Sequence, residues 1–376
     1  MMNKPIPQLG LIVNPIAGIG GKVGLKGSDG ASIQKKALIL GAIPESENRT
    51  IIALQEINHV PFQFEIITYP GTMGEFAASR SGLRHTVIGS IDIKKTTAGD
   101  TRQAARDLLR YGVKLILFAG GDGTARDIHS AIGQGIPVLG LPTGVKIHSA
   151  VFASSPRNAG VLTASFLSNQ TTALREAEVM DIDENALRNG FVSTRLYGYL
   201  TIPYQRRFLQ GLKTASSRTE KESMRAIARC IVENLRDDFI YLVGPGTTTK
   251  AITTELDLPK TLVGVDVLLG KEIIIKDANE AQLLQVLEGR SAKIIVSPIG
   301  GQGYIFGRGN QQLSHQVIRR VGKNNIIVVA TREKIHALRG KPLFVDTGNS
   351  ALDEVLIGYI RVITGYNDEI VCRIVS

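Results

Sequence analysis

The chain has 376 residues, 43% hydrophobic and 21% charged, so it can bury a sizeable core and is long enough for two domains. Its net charge is +10, yet Trp is absent and aromatic residues make up only 5%, which leaves little stacking material for single-stranded nucleic acid and points to an anionic small molecule instead. Cys230 and Cys372 are the only cysteines; two distant thiols exclude a disulfide framework and a cysteine metal site, and predict a reducing, cytoplasmic setting.

"QLGLIVNPIAG" (8–18) reads as a short apolar strand ending in Asn-Pro and glycines, and "IGGKVGLKGSDG" (19–30) as a polar glycine-rich loop. The opening stretch "MMNKPIPQLGLIVNP" has neither an apolar h-region nor a small-residue cleavage site, and no run approaches the roughly 18 apolar residues of a membrane span, so neither a leader nor a membrane partner is expected. A helix is predicted over 31–41 and a strand over 62–70. "GDTRQAARDLLRYG" (99–112) reads as a helix with Asp100 at the N-cap, Ala104, Ala105, Leu108 and Leu109 on one face, and Gly112 as the stop. "VKLILFAG" (113–120) is a continuous apolar strand of the kind buried on both faces in a parallel sheet. A short helix follows "GGDGT", then a strand and loop at 136–144 and a helix at 157–168.

This alternation predicts a Rossmann-like parallel sheet over residues 1–172 with helices on both faces. The texture changes near 172. "AEVMDIDE", "FVSTRLYGYLTIP" and "KEIIIKDA" read as strands and 218–236 as a helix, with strand–glycine–helix units at 238–256 and 292–322 and strands at 324–331, 342–348 and 359–366. The second domain, 173–376, is expected to be β-rich with extra helices at about 205–236. The basic stretch 205–229 reads as a solvated helix face.

Ligands bind at the carboxyl ends of strands in such sheets, and the glycine loops 14–21, 120–124 and 142–146 fall at those ends. Glycine permits φ > 0 and close ligand approach. Successive amides can then form an anion nest, reinforced by the positive end of the following helix. Gly120, Gly121, Gly123 and Thr124 are the candidates for such a nest, beside Asn14, Gly18, Gly20, Gly21, Thr143, Gly144 and Lys146. Asn14 before Pro15 also fits a plain Asx-turn, and Lys146 and His148 also fit structural roles. A carboxylate inside an anion nest repels phosphate, so Asp122 is expected either to hold Mg²⁺ bridging phosphates or to take the proton of an attacking hydroxyl. Both roles point to phosphoryl transfer.

Other fingerprints are missing. There is no Gly-x-x-x-x-Gly-Lys-Ser/Thr loop, no clean Gly-x-Gly-x-x-Gly (Val23 stands where the third glycine belongs), no Gly-x-Ser-x-Gly elbow and no metal pairing among the six His. Glu178, Asp181 and Asp183 alternate along a strand and read as a solvated face rather than a metal site. No protein-held metal centre is expected.

"GGDGT" between an apolar strand and a helix resembles the NAD kinase superfamily, which also holds the diacylglycerol, sphingosine and 6-phosphofructo kinases. Together, "GLIVNPIAGIGGKVGLKGSDG", "GGDGTARDI", "GLPTGVKIHSAVFA", "GPGTTTKAI" and "PIGGQGYIFGRGNQQLS" look like the branch described as predicted ATP- or polyphosphate-dependent NAD kinases, over nearly the whole chain. The resemblance implies a phosphofructokinase-like first domain. It also implies transfer of a phosphate from ATP or polyphosphate, with Mg²⁺ or another divalent cation, to the 2′-hydroxyl of NAD, in a homodimer or homotetramer. It makes Asp122 the base and places Gly246, Thr247 and Thr248, in the stretch from Asp238 to Ala251, against the dinucleotide. In the foreign stretch "GGQGYIFGRGN", Gln302, Arg308 and Asn310 are candidate substrate contacts, Arg308 as a charge presented between two glycines. The Asn-Glu or Asn-Asp pair usual in the family has no counterpart here. The acceptor therefore stays open between NAD, a lipid or a small diol, and a non-catalytic nucleotide-binding regulator remains an alternative.

Overall fold

In the computed structural model, residues 6–25, 31–59, 62–92, 96–143, 147–171, 173–182, 194–205, 209 and 218–376 are described. They fall into two units. The first takes its described residues from Met1–Ile19 and Ile43–Gly211, the second from Gly20–Lys26, Ala31–Ala42 and Leu212–Ser376.

The first unit is built on five parallel strands: β1 (Gln8–Val13), β2 (Glu65–Thr68), β3 (His85–Val87), β4 (Leu115–Gly120) and β5 (Val138–Pro142), in the order β3-β2-β1-β4-β5. Every residue of β4 is buried, which in an all-parallel sheet requires cover on both faces. That cover comes from helices packed in pairs: α2 (Ser46–Asn58) with α6 (Pro156–Leu167), and α4 (Ala98–Tyr111) with α5 (Asp122–Ile132). At the α2–α6 crossing a Cβ on Gly160 would collide with Ala53 O; only glycine lets the two backbones come this close.

α4 starts one turn earlier than the sequence suggests. Thr97 is the N-cap and Asp100 the third helical residue, and each bonds the other's backbone in a capping box. Gly112, at φ +84°, closes the helix in the left-handed region. α2 has no counterpart among the expected elements. The hairpin of β6 (Leu174–Ile182) and β7 (Thr194–Pro203) packs on α5 and β5. Its Ala177, Val179, Leu200 and Ile202 join the core of the first sheet, so this unit runs on past residue 172.

The second unit holds a nine-stranded mixed sheet. Its strands are β8 (Ile240–Val243), β9 (Asp266–Leu269), β10 (Glu272–Ile275), β11 (Ala292–Val296), β12 (Tyr304–Phe306), β13 (Ile326–Val329), β14 (Leu343–Val345), β15 (Gly358–Gly365) and β16 (Asp368–Val375), ordered β10-β9-β8-β11-β13-β15-β16-β14-β12. β8, β11, β13 and β15 run parallel. Their side chains alternate between two cores: Ile240 and Leu242 of β8 enter one, Tyr241 and Val243 the other. The second of these cores also takes Ile227 and Ile231 of α7 (Arg218–Glu233) and Ile252 of α8 (Thr247–Glu255); the first takes Val317 and Ile318 of α10 (His315–Val321). The helices Thr247–Glu255 and His315–Val321 fall in the two expected strand–glycine–helix units, and α7 lies within the extra helical stretch expected at about 205–236, of which residues 206–208 and 210–217 lie outside the described residues. α1 (Ala31–Ile39), α9 (Glu280–Val286), α11 (Arg332–His336) and α12 (Ser350–Leu356) complete its α-helices among the described residues, and α3 (Glu75–Arg80) belongs to the first unit.

One buried ion pair pins the 260–266 loop. Lys260 Nζ lies 3.7 Å from Asp266 Oδ2, with both side chains fully buried. Asp266 also accepts from Thr261 N, Thr261 Oγ1 and Asp277 N. Burial pulls the Lys260 ammonium down to about 8, against the opposing pull of Asp266. Among the described residues no helix is long and apolar enough to cross a membrane.

Candidate active site

In the first sheet the chain leaves β1 toward β2 on one side and β4 toward β5 on the other. The crevice beyond the carboxyl ends of β1 and β4 is where such sheets take ligands. Asn14 closes β1 there. Its N–H donates to Ala119 O at 2.9 Å, and its Oδ1 accepts from Ile16 N at 3.2 Å as an Asx-turn. Its Nδ2 donates to Thr124 Oγ1 at 2.9 Å. One side chain thereby ties the loop after β1 to the first turn of α5.

The helix begins directly after the strand. Gly121, extended at φ −122° and ψ −166°, is the N-cap, and Asp122 is the first helical residue. None of Gly120, Gly121 and Gly123 has a positive φ, so the expected nest of left-handed glycines is not formed. Gly120 is needed for another reason: a Cβ there would come within 2.5 Å of Thr124 Cβ and Oγ1. What the loop offers an anion is the start of an 11-residue helix, whose amides at Asp122, Gly123 and Thr124 precede the first intrahelical bond, Ala125 N to Gly121 O.

Asp122 points inward and is 6% exposed. His148 N donates to its Oδ2 at 2.7 Å and Ser149 N to its Oδ1 at 2.9 Å. Ser149 Oγ in turn donates to Met180 O, fastening this loop to β6. Burial pushes the carboxyl up to about 7; the hydrogen bonds from Ser149 and His148 oppose the rise, and the charge of Asp181 adds to it. Asp181 is paired rather than solvated: Arg126 Nη1 donates to its Oδ2 at 2.7 Å. His148 contributes here through its backbone N–H.

Thr143, just past β5, is buried, and its Oγ1 has no hydrogen-bond partner among the described residues. Gly144, Lys146 and Asp183 lie outside the described residues. Arg49 of α2, which no sequence motif marks, is buried and donates from Nε to Pro142 O at 2.8 Å, holding the end of β5. Gly18 does take a positive φ of +77°, but Gly20 and Gly21 fall in the second unit, where neighbouring Lys22 O accepts from Glu280 N.

The remaining expected substrate contacts belong to the second unit. Gly246 (φ +121°) is the N-cap of α8, Thr247 is exposed, and Thr248 is buried, its Oγ1 accepting from Lys334 Nζ at 2.9 Å. Arg308 is not presented to solvent: it is 4% exposed, with its guanidinium 4.6 Å from the Tyr304 ring centroid. Asn310 spends its amide on its own loop, donating to Ile305 O and accepting from Gly307 N. Gln302 is buried in a turn, its N–H bonded to Ile299 O. Asp238 is a surface residue paired with Arg236. Among the described residues no three His, Cys, Asp or Glu side chains converge to hold a metal. A protein-made Mg²⁺ centre does not fit these residues; a cation would arrive on the phosphates it neutralises.

Residues 9–170 match the ATP-NAD kinase N-terminal domain, and residues 236–374 match the ATP-NAD kinase C-terminal domain. Among solved structures, a candidate diacylglycerol kinase from Bacillus anthracis str. Sterne aligns at 16% identity and a TM-score of 0.25, over 49% of this chain and 45% of that protein, so the chain spans less than half of its length. No curated protein matches the chain. With both halves of one domain pair matched in order, and a GGDGT loop joining a buried parallel strand to a helix, the chain belongs to the NAD kinase family, a family of phosphotransferases.

Proposed function

We propose that the chain transfers a terminal phosphate from ATP or polyphosphate to the 2′-hydroxyl of NAD, giving NADP. The observation that carries this reading is the state of Asp122. Burial lifts its carboxyl to about 7, where a carboxylate is a useful base at neutral pH. Each oxygen accepts one backbone N–H and keeps a lone pair for a further donor. The 2′-hydroxyl would donate into that lone pair. As its oxygen bonds the terminal phosphorus, the proton passes to Asp122, and the bond from phosphorus to the donor's bridging oxygen breaks. The amides at the start of α5 would hold the transferred phosphate oxygens. Mg²⁺ carried on the donor would neutralise phosphate charge.

The clamp on Asp122 also favours a second reading, in which the carboxylate only fastens the 147–149 loop and the chain binds nucleotide without turnover. Terminally labelled ATP or labelled polyphosphate, offered with NAD, a diacylglycerol and a small diol as separate acceptors, separates the two. Label on NAD supports the first reading, label on another acceptor replaces its substrate, and no transfer beside measurable nucleotide binding supports the second. The family resemblance also implies a homodimer or homotetramer, which light scattering would read.

A further inference from the structure

α7 and α8 pack on the face of the second sheet that carries Tyr241 and Val243. Beside the end of α7, on that face, lies a cavity of about 490 Å³, within the range of small-ligand pockets. Its floor includes Ile327 of β13 and Ile363 of β15. Cys230 and Leu235 wall it on the helix side, and Asp368 and Glu369 on the side of the turn between β15 and β16. Tyr366 OH donates to Glu233 Oε2 at 2.6 Å, which ties that turn to α7. Tyr241, Lys293 and Ile327, which also line the cavity, are each the second residue of their strand. The cavity therefore reaches toward the amino ends of β8, β11 and β13, whereas the Gly246–Thr248 loop stands beyond the carboxyl end of β8.

Polar groups are sorted along this cavity. Tyr241 and Lys293 are register partners in the parallel pair of β8 and β11, so their side chains leave the sheet side by side on one face. Lys293 Nζ lies 5.2 Å from the Phe239 ring centroid, and no carboxylate pairs with it among the described residues. Asp238, held below the usual carboxylate range by Arg236 first and by Lys293 more weakly, gives both oxygens to Arg236 at 3.0 and 2.7 Å. Tyr241 is 1% exposed. Its hydroxyl accepts from Arg236 N at 2.9 Å and keeps its own proton to give; the described residues supply no acceptor for that proton. The acids stand at the other end: in the order β11-β13-β15-β16, Lys293 and Glu369 are three strand spacings apart, about 14 Å. Each acid has its own cation there, Arg332 at 2.6 Å from Asp368 and Arg361 at 3.8 Å from Glu369.

We propose that this cavity binds a small monocarboxylate with an apolar body. The carboxylate takes the charge of Lys293 and the proton of Tyr241, and the body lies on Ile327 and Ile363. One ammonium and one hydroxyl match a singly charged head; a doubly charged phosphate would bring uncompensated charge into a cavity already walled by two acids. The lining residues all belong to the second unit, and the site stands whether or not the first unit performs phosphoryl transfer.

The test uses the full chain with octanoate, octanol and octylamine as separate probes, kept below micelle formation. Calorimetry reads binding. Alkylation of Cys230 by iodoacetamide, followed by peptide mass spectrometry, reads occupancy, with Cys372 of β16, which packs against the other core, as the internal reference. Octanoate should bind and slow alkylation of Cys230 but not of Cys372, and octanol and octylamine should bind at least tenfold more weakly. Lys293→Met should weaken octanoate tenfold or more, Tyr241→Phe about threefold or more, and Lys293→Arg less than threefold. If Lys293→Met does not fold, the three probes on the parent and Tyr241→Phe decide. Octanol or octylamine binding as tightly as octanoate overturns the site, as does octanoate that fails to bind or leaves Cys230 alkylation unchanged at saturation. Because no turnover is read, failure of the kinase reading leaves this result intact.

Discussion

Ser149 N donates to Asp122 Oδ1 at 2.9 Å across 27 residues of sequence. The bond makes the acid of the glycine loop an anchor for the loop beyond β5, and it holds a buried carboxylate in one orientation. In the proposed reaction, a base held this way would need no reorganisation when a hydroxyl arrives.

Asp122→Asn should keep the shape and lose the proton acceptor. One amide face then confronts a backbone N–H that had an oxygen, at a cost of about 1–3 kcal/mol, partly offset because no charge is buried. Phosphoryl transfer should fall by about 10²–10⁴-fold while circular dichroism stays that of the parent. Transfer within a few-fold of the parent would remove Asp122 as base.

The pH dependence follows from the carboxyl lying near 7 in the fold. As the proposed base, Asp122 would act ionised, so kcat/KM should rise with unit slope below about pH 7 and level above it. The same raised value means the folded chain holds a proton that the unfolded chain has released above its ordinary value of 3.8. Stability from this group is present at low pH and lost as pH rises through 7. Denaturation at pH 6 and pH 8 should show the parent losing stability relative to Asp122→Asn; equal losses in both would contradict the assignment.

Gly120→Ala should displace Thr124, because the added methyl would lie 2.5 Å from its Cβ and Oγ1. Overpacking of this kind costs about 1–3 kcal/mol, and moving Thr124 also breaks its bond to Asn14. Urea denaturation measures the loss. Gly121→Ala is the comparison: its φ of −122° suits any residue, so it should cost less.

Lys260 gives a trend of the opposite sign. Its ammonium is pulled from 10.5 to about 8 by burial, so between those values the unfolded chain binds more protons than the folded one. Stability should therefore rise with pH across that window, by at most about 1.4 kcal/mol per pH unit. Denaturation midpoints from pH 8 to 10 should climb for the parent relative to Lys260→Met. Parallel curves would show that the pair does not titrate with unfolding.

Strong patterns made much of the fold readable. β4 is an unbroken apolar run, and α4 carries an apolar face with a glycine stop. α2 was hidden because half of its buried stripe is polar: Ser46, Arg49 and Thr50 occupy its first half, and only Ala53, Leu54 and Ile57 continue the stripe with apolar residues at helical spacing. Asp122 and its loop could be found because strand, glycines and helix are contiguous. The clamp on it could not, because backbone N–H groups at 148 and 149 have no side-chain signature. Arg308 suggested a surface charge through its flanking glycines, but both take positive φ and turn the side chain onto Tyr304. Lys334 meets Thr248 across 86 residues, a distance that no local pattern spans.

The most direct test compares the purified parent with Asp122→Asn, each given NAD, Mg²⁺ and either ATP or polyphosphate, and scores NADP with a dehydrogenase that accepts only the phosphorylated cofactor. NADP should accumulate with the parent and at least one donor, and stay at background with the variant. A parent that binds NAD yet makes no NADP from either donor, or a variant that matches the parent, would contradict the account.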